Sequence, residues 1–206
     1  KETDFMVRYF AGLDGKLVTT FKNMFEKTEN YLKTWYGQEK PRGNHCMVWI
    51  AGQNEKGYGF DVPVMVPAYV PAGGTVELAK LAEDLHKIGA SVFHYEHPFA
   101  VDPKGSGYIK EADPMQHTEY WNLCTHHAVC IDNEPMMNLW KEKIIPDIRS
   151  TGADGLQFDQ GALQQTVCDL TGHQHGLDAV SRLSSHSKAV VELSKIARER
   201  LSEEAY

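Results

Sequence analysis

The chain has little cysteine, no excess of positive charge, no long hydrophobic run and no leader-like start, and each absence excludes something. Four cysteines (Cys46, Cys124, Cys130, Cys168) in 206 residues are too few and too dispersed for a disulfide scaffold. They suit buried free thiols as well as one or two bridges, and so leave the compartment open. A formal charge of −7 argues against a nucleic-acid partner, which would need a basic face for the phosphates. The longest apolar runs are strand-like, far short of the roughly 20 residues that span a bilayer, so no membrane partner is expected. The opening Lys1-Glu2-Thr3-Asp4-Phe5-Met6 shows neither a signal-peptide layout nor an initiator Met, which points to a processed or trimmed product.

What is present reads as an α/β protein in one domain over 1–206, with 1–44 as a leading helical segment. Leu17, Phe21, Met24, Phe25, Thr28, Leu32 and Trp35 recur at helical spacing and predict a helix over 16–36. Cys46 to Ala51 is an uninterrupted apolar run, as expected for a strand buried on both faces. The following stretch carries Pro63, Pro67 and Pro71 and reads as irregular. A helix opens after Gly73-Gly74 with Thr75 as the expected N-cap, and Gly89 closes it. Residues 90–97, 126–131 and 154–159 read as further strands, with a long polar loop over 98–125. Helices follow from Asn133-Glu134-Pro135, with Pro146 predicting a kink or stop, and over 178–204.

Alternating strands and helices imply a parallel sheet with helical crossovers. Long polar loops after strands and short ones after helices are the habit of a (β/α) barrel, whose chemistry sits beyond the carboxyl ends of the strands. About four strands are visible, against the eight of a closed barrel. The expectation is therefore a TIM-barrel-like fold, a partial barrel within this chain, with no internal repeat.

The densest chemistry follows the last strand. Gly152-Ala153-Asp154-Gly155-Leu156-Gln157-Phe158-Asp159 ends on a carboxylate, and Gln160, Cys168, Asp169, His173 and His175 follow in one polar loop. A carboxylate at the end of an apolar strand is costly unless exposed, paired or employed; catalysis by Asp159 and a capping or loop-ordering role both satisfy that condition. Glu96, in His94-Tyr95-Glu96-His97, is either a site carboxyl or a structural partner of a nearby base. Asp132 also sits at a predicted strand end, where capping the next helix competes with a site role. Tyr120-Trp121 suit stacking on a sugar ring, whereas Trp49, Trp35 and Trp140 read as packing. Zinc is disfavoured: Cys124, His126, His127 and Cys130 lack the short defined spacing of zinc ligands.

The run Gly152 to Ala162, then Val167-Cys168-Asp169, then Gly172-His173-Gln174-His175-Gly176 resembles a bacterial family of glycoside-hydrolase-like TIM-barrel proteins. That family is distantly similar to retaining glycosidases of the α-galactosidase type. Gln157 departs from the family's usual aromatic, and the histidines depart from its commoner His-Gly-His order. The resemblance implies Asp159 as nucleophile, with Gln160, Asp169, His173 and His175 in a sugar pocket. Glu96 is then a candidate second carboxyl, with His94, Asp132, Tyr120 and Trp121 as candidate sugar contacts. It implies a carbohydrate substrate and no cofactor. Similar proteins carry a glutamate-bearing strand after the long helix, so a second chain or oligomer completing the barrel is a further expectation. The alternatives are a non-catalytic carbohydrate binder and, third, a Cys/His metal-dependent hydrolase.

Overall fold

Period-two alternation sorts the strands into a sheet with one helix-clad face. The computed structural model describes residues 5–13, 16–36, 46–56, 67–97, 100–104, 118–121, 124–158 and 179–201. Strand β1 (Phe5–Phe10) is followed by the short β2 (Gly12–Leu13) and β3 (Lys16–Leu17), then helix α1 (Phe21–Tyr36) and strand β4 (Cys46–Ala51). Helix α2 (Gly74–Lys87), strand β5 (Ala90–Glu96) and the strands β6 (Ala100–Val101), β7 (Thr118–Trp121) and β8 (Cys124–Ala128) come next. Helices α3 (Glu134–Leu139) and α4 (Ile145–Ser150), strand β9 (Gly155–Phe158) and helix α5 (Ala179–Leu201) complete the described order. The main sheet has the order β1-β4-β5-β9, and each neighbouring pair is parallel.

Register assigns every side chain to a face. Tyr9, Cys46, Val48, Ile50, Ala90 and Val92 point toward the helices and join Phe21 and Met24 of α1 with Leu78, Leu81 and Leu85 of α2 in one core. Leu156 and Phe158 continue that face into a second core with Trp140, Ile144, Ile148 and Leu193. The other face carries Arg8, Trp49 and Phe93 in one row, with Gly155 at its end. A Cβ on Gly155 would lie 2.4 Å from the Phe93 ring, so only glycine lets that ring rest over β9. Tyr9 is buried against α1: Thr28 Oγ1 donates to the Met24 carbonyl at 2.8 Å, so at 3.0 Å it accepts from the Tyr9 hydroxyl.

The structure corrects several expectations. The leading segment is not purely helical, because Phe5–Phe10 forms a strand of the main sheet. Its alternation is short and includes Arg8, which hides it from a search for apolar runs. The expected parallel strand over 126–131 is instead β8, ending at Ala128 and antiparallel to both β6 and β7. Val129, Cys130 and Ile131 are still fully buried, so the apolar run reported burial and not ladder membership. The loop expected over 98–125 therefore contains β6, β7 and the first two residues of β8.

Helix ends shift for local reasons. Gly73, not Thr75, caps α2; the Thr75 hydroxyl accepts from the Ala68 amide at 3.0 Å. Asp132 lies one residue before the true cap of α3, since Asn133 Oδ1 accepts from the Met136 amide at 3.3 Å. Pro146 neither stops nor isolates the helix: a π-helical turn, Trp140–Ile144, joins α3 to α4. Proline lacks an N–H and crowds the carbonyl four residues back, and a wider turn relieves both. Gly89 (φ 81°) and Gly152 (φ 77°) end α2 and α4 in the left-handed conformation that glycine adopts without a Cβ penalty.

Replacing Gly155 by Ala drives a methyl into the Phe93 ring and should cost about 1–3 kcal/mol. Urea unfolding of the variant at neutral pH measures it, and an unchanged midpoint would refute the close approach.

Candidate functional site at the carboxyl ends of the strands

The parallel sheet delivers Phe10, Ala51, Glu96 and Phe158 to one edge. Just below that edge an aromatic cluster forms on the face away from the helices. Trp49 meets Tyr95 edge to face at 5.2 Å between centroids and Phe10 at 5.8 Å. The Arg8 guanidinium stands 5.5 Å over the indole, a cation on a π face. Trp49 is 6 % exposed, and its Nε1 has no hydrogen-bond partner among the described residues. A buried indole N–H normally finds an acceptor; this one has none among the described residues, and neither has Trp140 Nε1 in the second core.

Polar groups gather at the same edge. Gly52, with φ 67°, turns the chain as it leaves β4, and Gln53 then reaches across to β5. Its Nε2 donates to the Tyr95 carbonyl at 3.0 Å and to Glu96 Oε1 at 3.3 Å. Gln53, Glu96 and His97 are all buried. Beside them Lys56 Nζ donates to Asp102 Oδ2 at 2.6 Å, and Asp102 Oδ1 accepts from the Lys104 amide at 2.8 Å. That ion pair joins the loop after β4 to the loop after β6.

The predicted site residues fall in different places. Glu96 is at the strand end, buried, and held by Gln53. His94 is fully buried on the helix-facing side, with Nε2 3.0 Å from Thr151 Oγ1. Thr151 donates its own proton to the Ile148 carbonyl at 2.6 Å, so His94 must be the donor and Nε2 carries the hydrogen. Asp132 is half-buried in the turn before α3. Tyr120 and Trp121 lie in β7, opposite Thr125 and Cys124 of β8. Asp159, Gln160, Asp169, His173 and His175 lie outside the described residues. Gln53, Arg8 and the Lys56–Asp102 pair were not anticipated; the one cue was Gly52-Gln53-Asn54 directly after an apolar strand.

Electrostatics separates the carboxyl ends of the strands from the opposite edge. There Asp154 Oδ2 accepts from the Val92 amide at 2.7 Å and lies 2.8 Å from His86 Nε2. The hydrogen bond to Asp154 raises the His86 pKa against partial burial, and the last turn of a helix also favours a cation. Burial lowers His94 to about 4, with the charge of Asp154 opposing. Burial pushes the Cys46 thiol up to about 12, which leaves it a poor nucleophile. Among the described residues no group of three or more His, Cys, Asp or Glu is arranged to hold a metal, and no helix is long and apolar enough to cross a membrane.

The two histidines give opposite pH slopes. His94 has a depressed folded pKa, so its stabilising effect is complete above the unfolded value and is lost as pH falls from about 6.5 toward about 4. Within that window stability should fall by about 1.4 kcal/mol per pH unit, and a His94→Gln variant should flatten the slope in chemical unfolding. His86 has a raised folded pKa, so its contribution is complete below the unfolded value and fades as pH rises through the folded one. His86→Ala should therefore destabilise more at pH about 5.5 than at pH about 9; equal losses at both would remove the Asp154 pairing as the cause.

No family model matches the chain, and no curated protein matches it in sequence. Solved structures do match in shape. An α-N-acetylgalactosaminidase from Bifidobacterium bifidum superposes with a TM-score of 0.70 at 14 % identity, over 93 % of this chain and 33 % of that one. A GH36 α-galactosidase from Geobacillus stearothermophilus gives 0.64 at 11 % identity, over 97 % and 27 %. An α-galactosidase from Thermus thermophilus gives 0.56 at 13 % identity, over 97 % and 37 %. The chain thus spans about a third of the length of the enzymes it matches. Over that length it has a glycosidase-like α/β fold.

Proposed function

We propose that the chain is part of a (β/α)-barrel glycoside hydrolase that cleaves an α-linked galactose or N-acetylgalactosamine with retention of configuration. The substrate class follows the named activities of the structural neighbours, one of which was solved with GalNAc bound. One observation carries the reading: β5 and β9 are adjacent and parallel, and Glu96 is in register with Phe158, the residue immediately before Asp159. Retaining enzymes use two carboxyls about 5–5.5 Å apart, and this reading draws one from each of the two strands.

In this reading Asp159 attacks the anomeric carbon and Glu96 protonates the leaving oxygen, then removes a proton from the incoming water. Gln160, Asp169, His173, His175, Tyr120, Trp121 and Asp132 supply sugar contacts. The aromatic cluster around Trp49 offers an apolar floor, with its spare N–H as a donor. No cofactor takes part. His94, bonded to Thr151 in the core, acts by supporting β5. Completion of the barrel by further strands, in this polypeptide or a second chain, belongs to the same reading.

A second reading draws on the position of Glu96, which is 4 % exposed and falls in the helix-facing alternation of β5. Glu96 would then order the loops, and the protein would bind sugar without cleaving it or take its acid from another strand.

Hydrolysis of aryl α-galactosides and α-N-acetylgalactosaminides decides between them. Asp159→Asn should lose at least about 1,000-fold in kcat, and the first product seen by NMR should keep the α configuration. Glu96→Gln should impair substrates with poor leaving groups far more than p-nitrophenyl glycosides. Full activity in Asp159→Asn would end the nucleophile assignment, and a Glu96→Gln enzyme that treats both leaving groups alike would favour the second reading.

A further inference from the structure

We propose that Gln53 is a positioning residue for Glu96, fixing the strand-end carboxylate through a strap that runs from β2 across the ends of β4 and β5. The proposal rests on the glycosidase reading of Glu96 given above. An amide nitrogen carries two hydrogens, and Gln53 Nε2 has two acceptors in reach: the Tyr95 carbonyl at 3.0 Å and Glu96 Oε1 at 3.3 Å. The first is backbone of a central strand and serves as a rigid reference. The second is the carboxylate to be placed. Gln53 is 1 % exposed, so water does not compete for either bond.

The other side of Gln53 is equally constrained. Its backbone carbonyl accepts from the Tyr69 amide at 2.8 Å, and the Tyr69 carbonyl in turn accepts from the Ala72 and Gly74 amides at 3.1 Å each. The Tyr69 ring fills the space where a Cβ on Gly12 would stand, 2.6 Å away. Contacts therefore run without interruption from Gly12 of β2, through Tyr69 and Gln53, to Tyr95 and Glu96. Side chains in catalytic constellations need this kind of support, because small misplacements are expensive.

The chemistry of the strap suits a proton-exchanging group. The Gln53 amide reaches a carboxyl oxygen of Glu96 at 3.3 Å and, being neutral, adds no charge beside it. Lysine or arginine in its place would set a permanent positive charge against the carboxyl. Among the described residues the ionisable groups on the same loops are Glu55, His97 and Lys104, together with Lys56 and Asp102, whose charges face each other at 2.6 Å.

Side-chain amide resonances of Gln53, followed by 15N NMR in the full protein from pH about 3 to 9, test the contact without requiring activity. They should shift with a single titration that disappears in Glu96→Gln. Resonances indifferent to both pH and Glu96→Gln overturn the proposal. Kinetics test the consequence: Gln53→Met should lower kcat by about 10–100-fold while KM stays within about twofold. A raised KM with kcat intact would mean that Gln53 touches substrate, and would also overturn it. If Gln53→Met does not fold, the titration in the otherwise native protein decides. If the amide follows Glu96 but the native protein hydrolyses no glycoside, the positioning stands and the hydrolase reading falls.

Discussion

The structure depends on one constraint: four adjacent parallel strands bury one face against helices and turn the other away from them. Burial of Cys46, Val48, Ile50, Ala90 and Val92 against α1 and α2, and of Leu156 and Phe158 against the helices that follow β8 and β9, sets the register of the whole sheet. Because the side-chain period is two, a one-residue slip would exchange the faces and put Arg8 and Gln157 into the helix core. The aromatic cluster of Phe10, Trp49 and Tyr95 on the far side follows from the same register.

The two edges of the sheet do different work with similar groups. At the amino edge a carboxylate, Asp154, ties the Val92 amide of β5 to His86 of α2. Every partner there is matched, and the arrangement contributes stability. At the carboxyl edge a carboxylate, Glu96, is held by a neutral amide, and a buried indole N–H goes unmatched among the described residues. Unmatched buried donors are costly to folding and useful to a ligand. In α/β folds with parallel strands, ligands are met at the carboxyl edge. His94 lies between the two, on the same row as Val92 and Glu96, and its bond to Thr151 packs the middle of β5 onto the turn after α4.

Much of the fold was legible. The strands at 46–51 and 90–96, the strand before Asp159 and the helices that follow them stand close to their predicted limits, because continuous apolar runs and wide amphipathic stripes are strong signals. The strand at Phe5–Phe10 was not legible: Arg8 splits its apolar residues into two short pieces, and pairing with β4 makes them a strand. The run ending in Ile131 was legible as buried but not as to partner, since apolarity is the same signal in a parallel ladder and in a turn packed beneath a helix. Glu96 could be placed at a strand end from sequence. Gln53 could not be linked to it, because the two are 43 residues apart and a glutamine carries no pattern of its own.

By itself the sequence determined an α/β chain with chemistry concentrated after its strands, and it singled out Asp159 and Glu96 as the carboxylates to watch. These follow from local properties: apolar runs, helical periodicity, turn residues and the cost of a carboxylate beside an apolar strand. The tertiary structure alone decided which strands are neighbours, which face each side chain takes, and which group holds Glu96. Those are outcomes of long-range pairing, where contacts between distant residues are selected by the burial they permit together and by no single stretch of sequence.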